Sequence, residues 1–500
     1  MSGMDRASFL RRAGGAAAAV AVAGAGGGAG SLLGQARRGR KPPLSELART
    51  TSGALITQGG AGYQAAKREV NTRYSGIRPL AILRARSVAD VQAAVRWCNK
   101  HDVQIAARSG GHSYAGYSTV QGGLIVDLTR LNAIEVASDG TTAQVGAGNR
   151  LIDMYTSLAN RGLTVPGGSC PTVGVGGLSL GGGVGLAGRA LGTTSDNIAS
   201  LQIVTANGKT LTCNRRQNSN LYWACRGGGG GNFGIVTSFT YSTHAVRTAS
   251  YFTATYDWSD VRDVVARWQR WAPNAPAELF SLCSLGTGSG GPALSVFGQY
   301  MGSAAALRRT LNGLTSAVQP RDLQVGSSRY LNLILRWAGC LNESPAACRM
   351  PPYEPFKAKS SYVRRPMAGQ GISTMASWIE RRQAQNAGSG FIILDSYGGR
   401  INEIAPDATA FVHRDALYSC QFGTYWSGTG QSTALSWISS FYRAMSPYVS
   451  QYAYQNYIDP DLAGWKDAYY GANYGRLVDV KQRVDPDDLF RFRQSIPVHP

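Results

Sequence analysis

The run from Gly167 to Gly183, Gly-Gly-Ser-Cys-Pro-Thr-Val-Gly-Val-Gly-Gly-Leu-Ser-Leu-Gly-Gly-Gly, constrains this chain more than any other stretch. With so few side chains, its backbone can lie against a flat or anionic ligand and offer it N–H groups. One thiol, Cys170, stands among the glycines. A second loop, Arg108-Ser109-Gly110-Gly111-His112-Ser113-Tyr114, exposes one imidazole in the same way, and a third runs from Arg226 to Gly234. Glycine loops that each present a single reactive side chain point to one large cofactor held between them.

Short apolar runs lead into these loops. Residues 79–83 read as a strand, after which Ser87 caps a helix with Val88, Val91, Val95 and Cys98 on one face. Residues 103–107 form a strand that enters the His112 loop. Further strands fall at 124–128, 133–136 and 143–145, with a helix near 151–160 and a strand at 163–165 entering the Cys170 loop. Asn207-Gly208 between two β runs marks a hairpin. From about Ala245 the texture changes to longer alternating β runs at 251–256, 280–285, 294–300, 391–396 and 418–425. Amphipathic helices such as 261–271 and 307–317 alternate with them. The expected class is α+β: a cofactor domain of two α/β subdomains, and a substrate domain with an antiparallel sheet backed by helices. The divisions expected are 1–35 as export signal and linker, 75–246, 247–450 and a C-terminal segment 451–500. The concentration of tyrosines in this last segment reads mainly as core packing.

At 500 residues the chain is longer than one core usually serves, and 43% hydrophobic against 16% charged residues make it globular. The formal charge of +21 falls to about +15 once residues 1–50, with eight basic and two acidic side chains, are set aside. No basic tract with interleaved aromatics stands out, so the excess reads as solvated surface and not as a nucleic-acid site. Basic residues ahead of the Ala/Gly/Val run 13–30 indicate an export signal. It resembles a twin-arginine signal, although Arg11-Arg12 follow Phe9-Leu10 instead of preceding them. No later stretch could span a bilayer. Eight cysteines do not make a disulfide scaffold, but in an exported chain Cys340 could pair with Cys348 and Cys213 with Cys225.

No Gly-x-Gly-x-x-Gly follows a strand, no phosphate-binding P-loop occurs, and no His/Cys/Asp/Glu group has metal spacing. Four motifs instead occur in one order: Arg-Ser-Gly-Gly-His-Ser at 108–113, Gly-Ser-Cys-Pro-Thr-Val-Gly at 168–174, Gly-Gly-Gly-Gly-Asn-Phe-Gly-Ile-Val-Thr at 228–237 and Asn-Tyr-Gly-Arg-Leu-Val-Asp-Val-Lys at 473–481. From about Arg78 to Pro497 the chain resembles the berberine-bridge-enzyme-like oxidases, flavoproteins with a vanillyl-alcohol-oxidase or PCMH-type FAD domain. The resemblance implies FAD bound twice, through His112 to the ring methyl and through Cys170 to the adjacent ring carbon. It implies a cradle made by Arg108, Ser109, Gly110, Gly111 and Ser113, by Gly168, Thr172, Val173, Gly176 and Gly177, by Gly230, Asn232, Gly234, Ile235 and Val236, and by Asn473. It also implies that Val173, at the flavin face dioxygen must reach, goes with oxidase behaviour.

For the substrate, the resemblance assigns Tyr457 as general base, Asp395 as the carboxylate that assists it and Tyr397 as a second pocket tyrosine. Asp395 could instead simply cap the turn at Gly398-Gly399. Gln421 stands where alkaloid-cyclising members carry a glutamate base, and an amide cannot do that work. The expected activity is oxidation of an alcohol or hemiacetal carbon of a sugar, oligosaccharide or glycosylated compound, with dioxygen reduced to hydrogen peroxide. A tailoring oxidase of a glycosylated or polyphenolic metabolite is the alternative. A basic non-catalytic protein binding wall polymer or nucleic acid is a remote one.

Overall fold

The computed structural model describes residues 42–499 apart from Asn342, Met350 and Pro351. The expected export signal lies outside the described residues.

Two small sheets, with a two-stranded ribbon of Leu163–Thr164 and His244–Ala245, make the first half. Ala54–Thr57, Ala81–Arg84, Leu124–Asp127 and Ile105–Arg108 lie side by side in that order, the first pair antiparallel and the rest parallel. The parallel pairing requires a crossover, and the helix Val88–His101 supplies it. The Ser87 hydroxyl accepts from the Asp90 N–H at 3.2 Å to start that helix, and Asp102 in the left-handed region ends it. The second sheet is antiparallel, in the order Ile134–Val136, Thr142–Gly146, Ile235–Ser242, Ile198–Val204, Thr210–Asn214. Its last pair closes at Asn207-Gly208, where Gly208 has φ +72° and the Asn207 side chain accepts from the Lys209 N–H.

The second half is one seven-stranded antiparallel sheet in the order Asp322–Arg329, Thr248–Tyr256, Ala293–Tyr300, Leu279–Gly286, Gly390–Ser396, Tyr418–Tyr425, Phe356–Val363. The helices Val261–Trp271, Ala304–Thr315, Gly369–Gln385 and Gln431–Met445 cover one face, where Ile392, Leu394, Cys420 and Phe422 join their core. The opposite face, with Phe391, Ile393 and Leu282, packs into the core shared with the first half. Burial on both faces explains why strands such as Gly390–Ser396 are buried at every position.

One cysteine pairing offered by the sequence does not form, and the stretch 340–359 ends in the edge strand Phe356–Val363. Its two lysines are buried because Lys357 and Lys359 pair with Asp459, and Lys357 also with Asp461. Cys340 and Cys348 form a disulfide, whereas Cys213 and Cys225 are separate, fully buried thiols within the core.

Candidate active site

The strand Ile105–Arg108 ends on a buried guanidinium. Arg108 donates to Asp127 at 2.8 Å, to Glu69 at 3.3 Å and to the Ala66 carbonyl at 2.5 Å. This ion triad fixes the point from which the first glycine loop departs, while Arg108 itself stays off the cavity wall. Burial pushes the Glu69 carboxyl up to about 7, whereas Asp127 is held low, chiefly by Arg108, despite its burial.

The first and second loops then cross backbone on backbone. A Cβ on Gly110 would stand 2.2 Å from the Gly174 nitrogen, and one on Gly174 would stand 2.1 Å from the Gly110 nitrogen. Glycine is needed at both because only bare backbones approach so closely. The Ser109 hydroxyl donates to the Ala147 carbonyl at 2.6 Å. The N-terminal amides of the helix Leu151–Ala159 hold the second loop, Leu151 donating to the Val173 carbonyl and Ile152 to that of Pro171. The crossing brings His112 and Cys170 together on Thr172, whose hydroxyl lies 2.9 Å from His112 Nε2 and 3.7 Å from the Cys170 sulfur. Desolvation, with Arg150 adding to it, holds the His112 imidazole down to about 4, so the ring is neutral near pH 7.

The third loop closes the far end. Asn232 donates to its own loop at the Gly228 carbonyl, 2.9 Å, and accepts from the Ile496 N–H, 2.9 Å. The C-terminal segment clamps the second and third loops: Asn456 donates to Leu178, Gln455 to Gly227, and the Gly183 N–H donates to the Tyr454 hydroxyl. Buried Lys481 ties the Asn232 carbonyl to Asp485 and to the Phe490 carbonyl.

A cavity of 570 Å³ runs between the three loops and the seven-stranded sheet, well within the range of small-molecule and cofactor sites. His112, Cys170, Ser109, Gly110, Gly111, Ser113, Gly168, Thr172, Val173, Gly176, Gly177, Gly230, Asn232, Gly234 and Val236 line it, as do Tyr457 and Gln421. A Cβ on Gly177 would meet nothing within 4 Å, so this backbone faces open cavity. The neutral imidazole, the half-exposed thiol beside it and the bare glycine walls fit FAD held along the loops.

Across the cavity, Tyr457 stacks parallel on Tyr114, ring centroids 5.3 Å apart at 4°, and meets the edge of Tyr454 at 5.0 Å. Gln421 Nε2 donates to the Tyr114 hydroxyl at 2.9 Å. Asp395 is buried, accepting from the Ser419 hydroxyl at 3.3 Å. Tyr397 is wholly buried with its hydroxyl 3.3 Å from that of Tyr362. Burial, then the nearby Tyr454 and Asp395, hold its phenol well above the usual value. Asp395, Tyr397, Arg108 and Ile235 do not line the cavity, and Asn473 lies away from it, its amide on the Pro406 and Thr409 carbonyls. Sequence reasoning did not single out Tyr114 as a partner of Tyr457, nor Tyr454 as more than packing. The only signal was the place of Tyr114 two residues after His112 in a glycine loop.

Residues 79–214 match the model of an FAD binding domain, and residues 453–497 match that of the berberine and berberine-like family. The chain is 32% identical over 456 residues to YgaK of Bacillus subtilis, described as an FAD-linked oxidoreductase, covering 89% of this chain and 97% of that one. It is 31% identical to berberine bridge enzyme-like 14 of Arabidopsis thaliana, with 84% and 85% covered. Among solved structures, Physcomitrella patens BBE-like 1 superposes with a TM-score of 0.85 at 33% identity, covering 91% of this chain and 99% of that one. A chitooligosaccharide oxidase gives 0.82 at 29%, with 91% and 98% covered. Phl p 4.0202, a glucose dehydrogenase, gives 0.83 at 28%, with 91% and 99% covered, and an isoleucine-to-valine variant of Phl p 4 is a glucose oxidase. With the cofactor loops, the C-terminal clamp and 85% or more of the length of each of these relatives matched, the chain belongs to the berberine-bridge-enzyme-like FAD-linked oxidoreductases.

Proposed function

We propose that the enzyme oxidises an alcohol or hemiacetal carbon of a saccharide-like molecule to the carbonyl level and reduces dioxygen to hydrogen peroxide, with FAD bonded through His112 and Cys170. The convergence of His112 and Cys170 on one threonine, opposite the stacked Tyr114 and Tyr457, carries the reading. Bound FAD would supply the hydride acceptor and the route for electrons to dioxygen. A neutral imidazole has the free lone pair that a nitrogen–carbon bond requires, and Thr172 orients it.

As hydride leaves carbon, the substrate hydroxyl must lose a proton. Tyr457 is the group placed to take it, because it is half-exposed at the cavity while Tyr397 is sealed from it. Stacking on Tyr114, itself held by Gln421, fixes the direction in which the Tyr457 hydroxyl points. Asp395, buried on the same sheet face as Gln421, assists Tyr457. Tyr397 stays protonated in its buried setting, packed with Tyr362 and Tyr454 behind the cavity wall. Val173 at the cavity wall supports an oxidase, in keeping with the valine variant of Phl p 4. The sugar-active neighbours support a saccharide. The aromatic wall of Phe356, Phe391 and Tyr425 favours, as a second reading, a glycosylated aromatic compound.

The test is anaerobic flavin reduction by a panel of mono- and oligosaccharides and of phenolic glycosides. Tyr457→Phe is expected to slow reduction roughly 10²–10⁴-fold, the usual contribution of a positioned base, with cofactor content unchanged. Asp395→Asn should slow it too, and the double variant should lose far less than the product of the single losses. A Tyr457→Phe enzyme that reduces at the parental rate would remove the base from this residue. Reduction by phenolic glycosides alone would select the second reading.

A further inference from the structure

A second cavity, of 500 Å³, shares no lining residue with the first. It opens beside the helix Ser219–Ala224, and the short helix Arg400–Glu403 borders it. Its floor is an unbalanced cluster of charge. Asp196 is buried and already satisfied by both terminal nitrogens of Arg414, at 2.7 and 2.9 Å. Arg226, 8% exposed, is held in place by carbonyls: its Nε donates to Ser195 at 3.0 Å and its Nη2 to Asp196 at 3.4 Å. Among the described residues its Nη1 makes no hydrogen bond and no carboxylate forms an ion pair with it. Arg215 lines the same cavity, is exposed, and has no ion pair among the described residues. Arg400 stands at the rim, where it reaches Glu403 only at 3.3 Å, both side chains more than half exposed.

Burial depresses the Arg226 guanidinium; Tyr222 and Asp196 offset this only in part, and the like charges of Arg215 and Arg414 add a little to it. Cations gathered against one already neutralised carboxylate cost free energy that a counter-charge in the cavity would relieve. His244 adds a polar wall. Asn197 spends its amide nitrogen on the Leu191 and Thr193 carbonyls, so its oxygen must accept, and His244 Nε2 donates to it at 2.6 Å. Nδ1 is then the lone-pair nitrogen of a ring that burial keeps neutral, without a hydrogen bond among the described residues and able to accept from a hydroxyl of the ligand but not to bind its oxyanion. The Tyr222 ring lies 4.8 Å under the Arg226 guanidinium and holds it flat.

We infer that this cavity binds the oxyanion of a small organic molecule, a carboxylate or phosphate, on Arg226 and Arg215 with Arg400 at its entrance. The planar guanidinium fork suits either group bidentately. The net charge of +21 would steer such ligands toward it. The cavity shares no residue with the site of the redox reaction.

Titration calorimetry of the flavin-loaded full chain with inorganic phosphate and with D-gluconate, at fixed ionic strength in sodium chloride, tests it. Saturable binding of at least one is expected. Arg215→Gln, an exposed position, should weaken it roughly tenfold, and Arg215→Gln with Arg400→Gln roughly a hundredfold, while the flavin spectrum and sugar oxidation stay at parental values. Phosphate binding more tightly would identify a phosphorylated ligand, and gluconate a sugar acid. No saturable binding of either, or equal affinity in the double variant, would overturn the inference.

Discussion

The crossing of Gly110 and Gly174 gives the sharpest prediction. Gly174 has φ −73° and ψ 133°, a conformation any residue adopts, so Gly174→Ala carries no backbone penalty. Its methyl would nevertheless stand 2.1 Å from the Gly110 nitrogen and 2.3 Å from the Ser109 hydroxyl, where ordinary contact begins at 3.4 Å. The loops must part by about 1 Å, a displacement that in a catalytic constellation costs on the order of 10²-fold, and the strain costs about 1–3 kcal/mol of stability. Thr172 sits on one of those loops and His112 on the other, so the 2.9 Å contact between them opens. Thermal unfolding should show the stability loss. Acid precipitation followed by absorption of the pellet should show flavin held by one bond or none in much of the population. Gly177→Ala is the control, since its methyl meets nothing in the chain within 4 Å: it should unfold like the parent and weaken only cofactor loading. Parental melting temperature and parental flavin retention in Gly174→Ala would refute the close crossing.

Val173→Ile should slow reoxidation of reduced flavin by dioxygen in stopped flow and leave anaerobic reduction intact, since it fills space at the cavity wall and removes no polar group; equal oxygen rate constants would count against the oxidase reading. Glu69, raised from 4.5 to about 7 in the fold, keeps a proton between those pH values that the unfolded chain has released. Stability should therefore fall as pH rises through that window, by up to about 3 kcal/mol, and level off above it. Chemical denaturation of Glu69→Gln should lack this decline, and a decline of equal size would place the titration elsewhere. Cys340→Ser should cost about 2–3 kcal/mol from the short loop it frees. Because Ala347 and Cys348 line the cavity, it should also raise KM for oligosaccharides more than for monosaccharides; unchanged KM for both would separate that loop from substrate binding.

What could be read in the sequence was local. Ser87 ahead of an apolar helix face announces a helix start, Asn207-Gly208 a hairpin, and glycines around His112 and Cys170 a cofactor cradle, because each effect operates within a few residues. The strand Phe356–Val363 was illegible for a physical reason. Lys357 and Lys359 look like solvent-facing residues until Asp459 and Asp461, a hundred positions on, bury and neutralise them. The stack of Tyr114 on Tyr457 likewise joins the first glycine loop to the C-terminal segment, and no periodicity in either stretch foretells it. Asn473 shows the opposite failure. It belongs to a recognisable motif, but its amide is spent on the Pro406 and Thr409 carbonyls.

In the strands Gly390–Ser396 and Tyr418–Tyr425 the parity of a position decides its trade. Even positions, such as Ile392, Leu394, Cys420 and Phe422, belong to the helix-side core. Odd ones, such as Phe391, Gln421 and Tyr425, face the cavity, with Ile393 paired to Gln421 and Asp395 to Ser419. Gly423 is odd as well, and a methyl there would strike the Phe391 ring, so even the bare position serves the cavity side. One set of positions is thus written for the helix-side core alone, and the other is shared between the core under the cofactor domain and the cavity wall. A change sought in the cavity falls only on every second letter, and of those letters Gln421 and Tyr425 line the cavity while Ile393 is held by the core.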